Sequence, residues 1–288
     1  MSTSILTSPA ATSPQGNPPA DDVRLTFPRV VRSEWIKFRT LRSTVWTLAI
    51  TLLIIVGIVT LFSVIGASQS SGPGSAGDGG GSIMVFEIAT ALAQLAVVVL
   101  GVLVITGEYS TGMIRSTLAA VPRRLPALWA KGIVLAVSIF VVSTVAVGFS
   151  LGIMQLFLGP KGLAPNLGDA DTLRILAGVP LYLAAIALLA FAIGAVLRHS
   201  AGALATVLGL LLVIENLFLI PWKPLQKISP FLPGTAGSKI LAPQEQIHAM
   251  SQGAVGAVLG PWQGYAILLA WVAVVLTVAA VLLRRRNA

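Results

Sequence analysis

The hydrophobic pattern of this chain consists of six long apolar runs separated by shorter polar or mixed gaps. Each run has about the 20 residues that a helix needs to cross about 30 Å of hydrocarbon. Because a backbone in lipid must satisfy its own hydrogen bonds, each run is predicted to be a helix. The pattern therefore predicts an all-α, polytopic integral membrane protein with six transmembrane helices, over residues 45–65, 83–106, 132–158, 175–197, 203–220 and 264–283.

The basic residues are concentrated in alternate gaps between these runs. Fourteen of the 19 fall in gaps that would share one side of a bilayer, and five fall in the opposite gaps. Cationic loops resist translocation, so the first group is predicted to be cytoplasmic, with both termini inside the cell. This group comprises Arg24, Arg29, Arg32, Lys37, Arg39, Arg42, Arg115, Arg123, Arg124, Lys131, Arg198, Arg284, Arg285 and Arg286. The opposite gaps hold Lys161, Arg174, Lys223, Lys227 and Lys239.

The composition excludes a water-soluble protein. Hydrophobic residues make up 56% of the chain, charged residues only 10%, and the mean hydropathy is +0.90. The formal net charge of +9 arises from cations that flank the runs. Anionic lipid headgroups are the expected partners of these cations, and nucleic acid is not expected to bind. The chain has no cysteine, which excludes disulfides and thiolate metal sites.

Two segments precede the first run. Residues 1–22 are rich in Ser, Thr, Pro and Ala and lack the features of a secretory signal, so a disordered cytoplasmic tail is predicted over 1–26. Apolar residues then recur every three or four positions among cations, which predicts an interfacial helix over 27–44. A plain positive flank to the first span is the alternative. The residues assigned to the interfacial helix are Trp35, Lys37, Phe38 and Arg39.

The gaps differ in length and character. The gap 221–263 remains apolar and is broken by Pro and Gly, so we expect it to pack against or dip into the outer leaflet. The turn 198–200 is so short that the fourth and fifth spans must be antiparallel neighbours. Most tryptophans near the runs lie at their ends, as interfacial anchoring predicts, and Trp271 is the exception.

Two carboxylates lie inside the apolar runs. Intramembrane acids cost about 2.5 to 3.5 kcal/mol at a span centre on insertion scales, so each is a functional hypothesis. Glu87 begins the second span and lies close enough to the predicted outer surface to reach the interface. Glu215, beside Asn216, is predicted either to border a translocation path or to contact a neighbouring helix.

The sequence lacks a phosphate-binding loop and a histidine placed to activate a serine. A G-x-S-x-G sequence does occur at 148–152, but it lies inside the third apolar run, and no Gly is followed directly by Lys, which excludes a phosphate-binding loop. His199 and His248 are predicted on opposite sides of the membrane and cannot share a metal ion. The chain is therefore expected to be neither an enzyme nor a metal or cofactor carrier by itself.

The most distinctive gap is 107–131, GEYSTGMIRSTLAAVPRRLPALWAK. Tyr109, Met113 or Ile114, Leu118 and Val121 form a helical stripe that Pro122 ends, which predicts a short amphipathic helix over about 108–121. Together with RSEWIKFRTLRSTVW at 32–46, the stretch GEYSTGMIRSTLAAVPRR at 107–124 resembles the membrane subunit of ABC type-2 exporters, particularly actinobacterial permeases.

The resemblance covers the six-span plan and implies several roles. It implies that 33–41 is an interfacial connecting helix and that 108–118 is a coupling helix docking on a separate ATPase subunit, which would bind ATP and Mg²⁺. It also implies a second permease subunit, a location in the plasma membrane and a re-entrant outer segment before the last span. The implied contacts with the ATPase subunit are Glu108, Tyr109, Thr111, Met113, Ile114, Arg115 and Leu118.

Three functions are compatible with these observations. The leading hypothesis is an ABC exporter permease that moves a hydrophobic or amphipathic solute outward. The alternative is an ion- or proton-coupled secondary transporter in which Glu87 and Glu215 carry the coupling charge. A membrane-embedded enzyme or structural scaffold is the third.

Overall fold

The computed structural model describes residues 26–69, 80–110, 112, 124–218, 223–251 and 257–285. Within these residues the secondary structure is helical, and six helices are long and apolar enough to cross a membrane, as predicted. In chain order the helices are α1 (Phe27–Thr40), α2 (Arg42–Gln69), α3 (Gly80–Ser110), α4 (Arg124–Leu158), α5 (Ala170–Leu197), α6 (Ser200–Leu217), α7 (Lys223–Ile228), α8 (Pro233–Ser238), α9 (Gln244–Ser251) and α10 (Pro261–Arg285). The predicted tail, 1–26, lies outside the described residues except for Thr26.

The helices extend beyond the apolar runs that revealed them. Helix α4, for example, begins at Arg124 and α10 continues to Arg285. Hydropathy marks only the part of a helix that suits hydrocarbon, whereas long cationic side chains let the helix continue into the headgroup region. The predicted interfacial helix, 27–44, is shorter than expected. The backbone of Leu41 is extended, with φ −74° and ψ 115°, so α1 ends at Thr40 and 42–44 belong to α2.

Helix α5 is the centre of the bundle. In its most apolar stretch 78% of residues are buried, against 22% in each of α2, α6 and α10, which lie at the periphery. Helix α3 crosses α5 closely, because a Cβ on Gly101 would lie 2.6 Å from the Ala187 carbonyl oxygen. Helices α5 and α6 pack against each other across the short turn after Leu197, as predicted.

The polar groups gather at two ends of the bundle. At the end that we call the basic end, α1 packs against α4, and the Arg198 guanidinium lies 5.3 Å from the centre of the Tyr109 ring. At the opposite end, here called the far end, Lys161 donates to the Ala67 carbonyl and Arg174 contacts residues of the 223–251 segment. Among the described residues, Arg198 therefore lies at one end of the bundle and Lys161 and Arg174 lie at the other.

The segment between α6 and α10 folds back into the far end of the bundle. A Cβ on Gly178 in α5 would lie 3.1 Å from the Ile240 carbonyl oxygen, and one on Gly264 in α10 would collide with the Ala236 carbonyl. The Trp271 indole donates to the Phe231 carbonyl at 3.0 Å, almost three turns or about 15 Å along α10 from its first residue. The described part of this segment packs against α5 and α10, its relation to the outer leaflet stays a prediction, and its depth explains why a tryptophan lies inside the last apolar run.

Candidate functional site

Four charged side chains meet at the basic end in an arrangement that we call the ion cluster: Glu34 and Lys37 of α1, Glu108 of α3 and Lys131 of α4. The Lys131 ammonium lies 2.5 Å from a carboxylate oxygen of both Glu34 and Glu108. Lys37 lies 3.0 Å from Glu34 and 3.6 Å from Glu108. The ion cluster thus joins α1 to α3 and α4, the two helices that flank residues 111–123.

The helical periodicity of α1 brings its members into the ion cluster. Val30, Glu34 and Phe38 are spaced four residues apart and form the buried face of α1. Trp35 and Arg39 point away and are exposed, and Lys37 is half-buried. The predicted interfacial residues therefore divide into Phe38 and Lys37, which contact the bundle, and Trp35 and Arg39, which lie on its surface.

The ion cluster contains two cations and two anions and is electrically balanced. The side chains of Glu34, Glu108 and Lys131 are only 6%, 10% and 5% exposed. Burial opposes the charged form of Lys37, but its hydrogen bond to Glu34 and the two nearby carboxylates outweigh that effect and raise its pKa. Desolvation of buried charges is costly, so each of these groups depends on the partners that remain.

A cavity of about 470 Å³ opens beside the ion cluster, between α1, α2, α3 and α4. Charged groups form one part of its wall and hydrocarbon another. The residues lining it are Glu34, Lys37, Phe38, Thr40, Leu41, Ser43, Thr44, Thr47, Leu100, Leu103, Val104, Gly107, Glu108, Lys131 and Val134. Such a combination suits a molecule that has both a polar and an apolar part.

The ATPase contacts implied by the sequence fall partly on described residues. Helix α3 runs through Ser110, so the first residues of the predicted coupling helix belong to α3. The Glu108 carboxylate faces the ion cluster, and Tyr109 is half-buried under Arg198. For Glu108 and Tyr109, contact with an ATPase subunit stays a prediction. Thr111, Met113, Ile114, Arg115 and Leu118 lie outside the described residues.

The sequence analysis missed Glu34 and Lys131 as functional partners. Glu34 is the only acidic residue in α1, and it lies among cations. An isolated acid on the face that carries Val30 and Phe38 signals a buried partner, because an unpaired carboxylate there would be costly. No local pattern identifies Lys131 as that partner, since the two residues are far apart in the chain and meet only through the packing of α1 on α4.

Glu215 forms hydrogen bonds with the folded-back segment at the far end of the bundle. Its carboxylate accepts hydrogen bonds from the Gly234 amide at 2.6 Å and from the Thr235 hydroxyl at 3.0 Å, so it caps the start of α8. Residues Gly209–Ile214, just before it, form a π-helix, which changes the direction in which the following side chains point. Asn216 is exposed and donates to the Leu212 carbonyl. Contact with a neighbouring element is thus shown for Glu215, and the translocation path stays a prediction for both.

Arg174 and Asp171 fasten the other end of the same segment. Arg174 pairs with Asp171 and donates to the carbonyls of Ile240, at 2.9 Å, and Ala242, at 2.8 Å. Asp171 in turn accepts from the Gln244 amide at 2.9 Å. The Glu215 carboxylate lies at the start of α8, where the helix dipole is positive, and the Arg174 guanidinium lies beyond its end, where the dipole is negative. Both charges are therefore favourably placed.

Other polar groups lie elsewhere in the bundle. The half-buried carboxylate of Glu87 is attracted to the Lys239 ammonium, and the Tyr182 hydroxyl donates to Gln94 of α3 at 2.7 Å. His199 caps the start of α6 by accepting from the Gly202 amide, whereas His248 lies in α9. The two histidines lie at different ends, as predicted.

Replacing Glu215 by Ala is expected to destabilise the folded-back segment by about 1 to 3 kcal/mol, because the Gly234 and Thr235 donors lose their acceptor. Glu215→Gln retains an amide oxygen for Gly234 and should be close to wild type. Asn216→Ala is the matched control on the exposed side. Thermal unfolding in detergent and protease sensitivity of 223–251 measure the effect, and equal behaviour of Glu215→Ala and the control would contradict the capping role.

The comparisons with known proteins add no relationship to these observations. No protein-family model matches the chain, and no curated protein matches it. What the sequence and the structure establish together is a multi-span helical membrane protein with an ion cluster and a cavity at one end and a folded-back segment at the other.

Proposed function

We propose that this chain is the membrane-spanning permease subunit of an ABC exporter in the plasma membrane. It would move a hydrophobic or amphipathic solute outward, driven by ATP hydrolysis on a separate ATPase subunit. The observation that carries the proposal is the ion cluster, because it connects α1 to both helices that flank the 111–123 loop. The resemblance of 32–46 and 107–124 to such permeases points to the same loop.

A mechanical role follows from the contacts of the ion cluster. A partner that pushes on the 111–123 loop moves the end of α3 and the start of α4. Because Lys131 binds Glu108 and Glu34 at once, that movement carries α1 with it, and α1 leads directly into α2. Residues 111–123 are therefore coupled to α1 through buried charges on α3 and α4, which resist separation, and to α2 through its connection with α1.

The orientation in the proposal has the basic end in the cytoplasm. The excess of Arg and Lys at that end favours it, since cationic segments remain on the cytoplasmic side. The ATPase subunit then lies where ATP is present and supplies the ATP and Mg²⁺ site that this sequence lacks. A second permease subunit completes the proposed complex, and the peripheral helices α2, α6 and α10 have the surface to receive it.

The proposal predicts that Met113→Asp with Ile114→Asp abolishes copurification of a phosphate-loop ATPase and the ATP hydrolysis associated with the complex. Charges placed on the apolar side of a docking helix remove anchors worth about 2 kcal/mol or more each. Leu167→Asp is the matched control, because Leu167 is 49% exposed in the loop between α4 and α5 at the far end. The measurement is mass spectrometry of the tagged chain from native membranes, followed by an ATPase assay.

Wild-type ATPase binding in the double variant would contradict docking at this loop. The absence of any phosphate-loop ATPase from the wild-type complex would contradict the exporter itself. Ion coupling is then the alternative, and it predicts transport that stops with an uncoupler but survives ATP depletion. The hydrogen bonds of Glu215 to α8 give that carboxylate a structural task, which leaves Glu87 as the main candidate for a coupling charge.

A further inference from the structure

The side of α1 that faces away from the bundle carries both cations and large apolar side chains. Arg32, Ile36 and Arg39 are exposed there. They lie within about 60° of one another around the helix axis, opposite the buried face of α1. Trp35 is exposed at the edge of this side, and Arg42 is exposed at the start of α2. We call this surface, formed by Arg32, Trp35, Ile36, Arg39 and Arg42, the arginine face.

The cations of the arginine face have no counter-charge among the described residues. None of the three arginine side chains forms an ion pair or a hydrogen bond with that part of the chain. Of the acidic residues that the structure describes, only Glu34 and Glu108 lie at the basic end, and Lys37 and Lys131 already neutralise both. The arginine face therefore has an excess of positive charge, which attracts an anion from outside the bundle.

Exposed tryptophans indicate the surroundings of the arginine face. Trp35, Trp46 and Trp129 are exposed on α1, α2 and α4. Trp46 lies four residues after Arg42, and Trp129 lies two residues before Lys131, which contacts α1 through Glu34. Indole rings concentrate at the headgroup level of a membrane, so the three tryptophans indicate that α1 lies at that level.

An anionic phospholipid matches both the charge and the apolar side chains of this surface. Its headgroup oxygens accept hydrogen bonds from planar guanidinium groups, and its acyl chains can cover Trp35 and Ile36. A zwitterionic lipid has the same phosphate but also a cation, which the arginines repel. An acidic soluble polypeptide would match the charge too, but the bilayer is continuous with the arginine face, because α1 leads directly into α2.

We infer that the arginine face binds an anionic phospholipid of the bilayer. Its three arginines donate to the headgroup oxygens, and Trp35 and Ile36 lie against the glycerol and the first acyl carbons. Such a site differs from the general attraction of flanking cations to headgroups, because one face of one helix selects the lipid. The bound lipid holds α1 from the side opposite Glu34. The site uses only residues of this chain, so it does not depend on an ATPase subunit or on the energy source.

The test uses the full chain in phosphatidylcholine nanodiscs that contain a trace of phosphatidylglycerol with a photoreactive diazirine at the start of one acyl chain. Phosphatidylcholine with the same diazirine is the matched probe. We expect the phosphatidylglycerol probe to label residues 27–46 at least about tenfold more efficiently, because the attractions of several cations to an anionic lipid add together. Mass spectrometry of proteolytic peptides locates and quantifies the label.

Removing two charges from the arginine face tests its residues. Arg32→Gln with Arg39→Gln should reduce labelling of residues 27–46 by the phosphatidylglycerol probe about tenfold. Arg284→Gln with Arg285→Gln is the matched control, because it removes the same charge from exposed residues in the last turn of α10. The control should be labelled like the wild type, since a local site does not depend on the total charge of the chain.

Equal labelling by the two probes in the wild type, or equal losses in the two double variants, would overturn the site. Displacement of the phosphatidylglycerol probe by soluble polyglutamate, but not by excess unlabelled phosphatidylglycerol, would assign the arginine face to an acidic protein instead. If the double variant of α1 fails to insert, the single variants Arg32→Gln and Arg39→Gln replace it. Wild-type labelling in both single variants would then contradict the site.

Discussion

Lys131→Met is expected to destabilise the folded chain by about 3 to 5 kcal/mol, the largest effect of any single side chain at the basic end. The Lys131 ammonium is 5% exposed and is shared by Glu34 and Glu108. Methionine is similar in length but neutral, so it leaves both carboxylates buried with only Lys37 beside them. Thermal unfolding of the purified chain in detergent, followed by circular dichroism, measures the loss.

Lys37→Met is the matched control for this prediction. Lys37 touches the same two carboxylates, but its side chain is 36% exposed, and its contribution is screened by solvent. We expect a loss of about 1 kcal/mol or less. If the two variants unfold at the same temperature, the ion cluster does not hold α1 to the bundle through Lys131.

Gly264→Val is expected to displace the folded-back segment from α10 at a cost of about 3 kcal/mol. A Cβ at Gly264 would collide with the Ala236 carbonyl, which is backbone and cannot turn aside as a side chain could. The hydrogen bond from the Trp271 indole to the Phe231 carbonyl should be lost with the displacement, because Phe231 and Ala236 belong to the same segment. Increased proteolysis within 223–251 and a changed tryptophan emission are the readouts.

Gly57→Val in α2 is the control, since nothing lies within 4 Å of a Cβ built there. It adds the same side chain to a long apolar helix without a close neighbour. Wild-type protease resistance in Gly264→Val would show that α8 does not depend on this contact.

The sequence predicted well those features that depend on local composition. Apolar length is sufficient to identify the six long helices, because hydrocarbon admits only a backbone that satisfies its own hydrogen bonds. The apolar character of 221–263 predicted contact with the outer leaflet, which stays a prediction, and the structure shows that Ala236 and Ile240 of this segment pack against α10 and α5. Helix ends were less accurate, because charged residues extend a helix beyond the apolar run.

The candidate site was predicted only in part. Phe38 and Glu108 were assigned roles from their motifs, and both line the cavity. The resemblance implied that Glu108 contacts an ATPase subunit, which stays a prediction, and it gave no sign that the Glu108 carboxylate turns inward to Lys131. Glu34 received no role, because the identity of its partner depends on how α1 lies across the start of α4.

The sequence by itself determined that this is a helical membrane protein with six long apolar helices. The length of each apolar run and the distribution of Arg and Lys can be read directly along the sequence, because they do not depend on which helices pack together. Only the tertiary structure decided that Glu34, Glu108 and Lys131 meet and that Glu215 caps α8. It also decided that the Trp271 indole donates to a carbonyl of the folded-back segment. Those pairings join residues far apart in sequence, and burial makes each charge depend on a partner that no local pattern specifies.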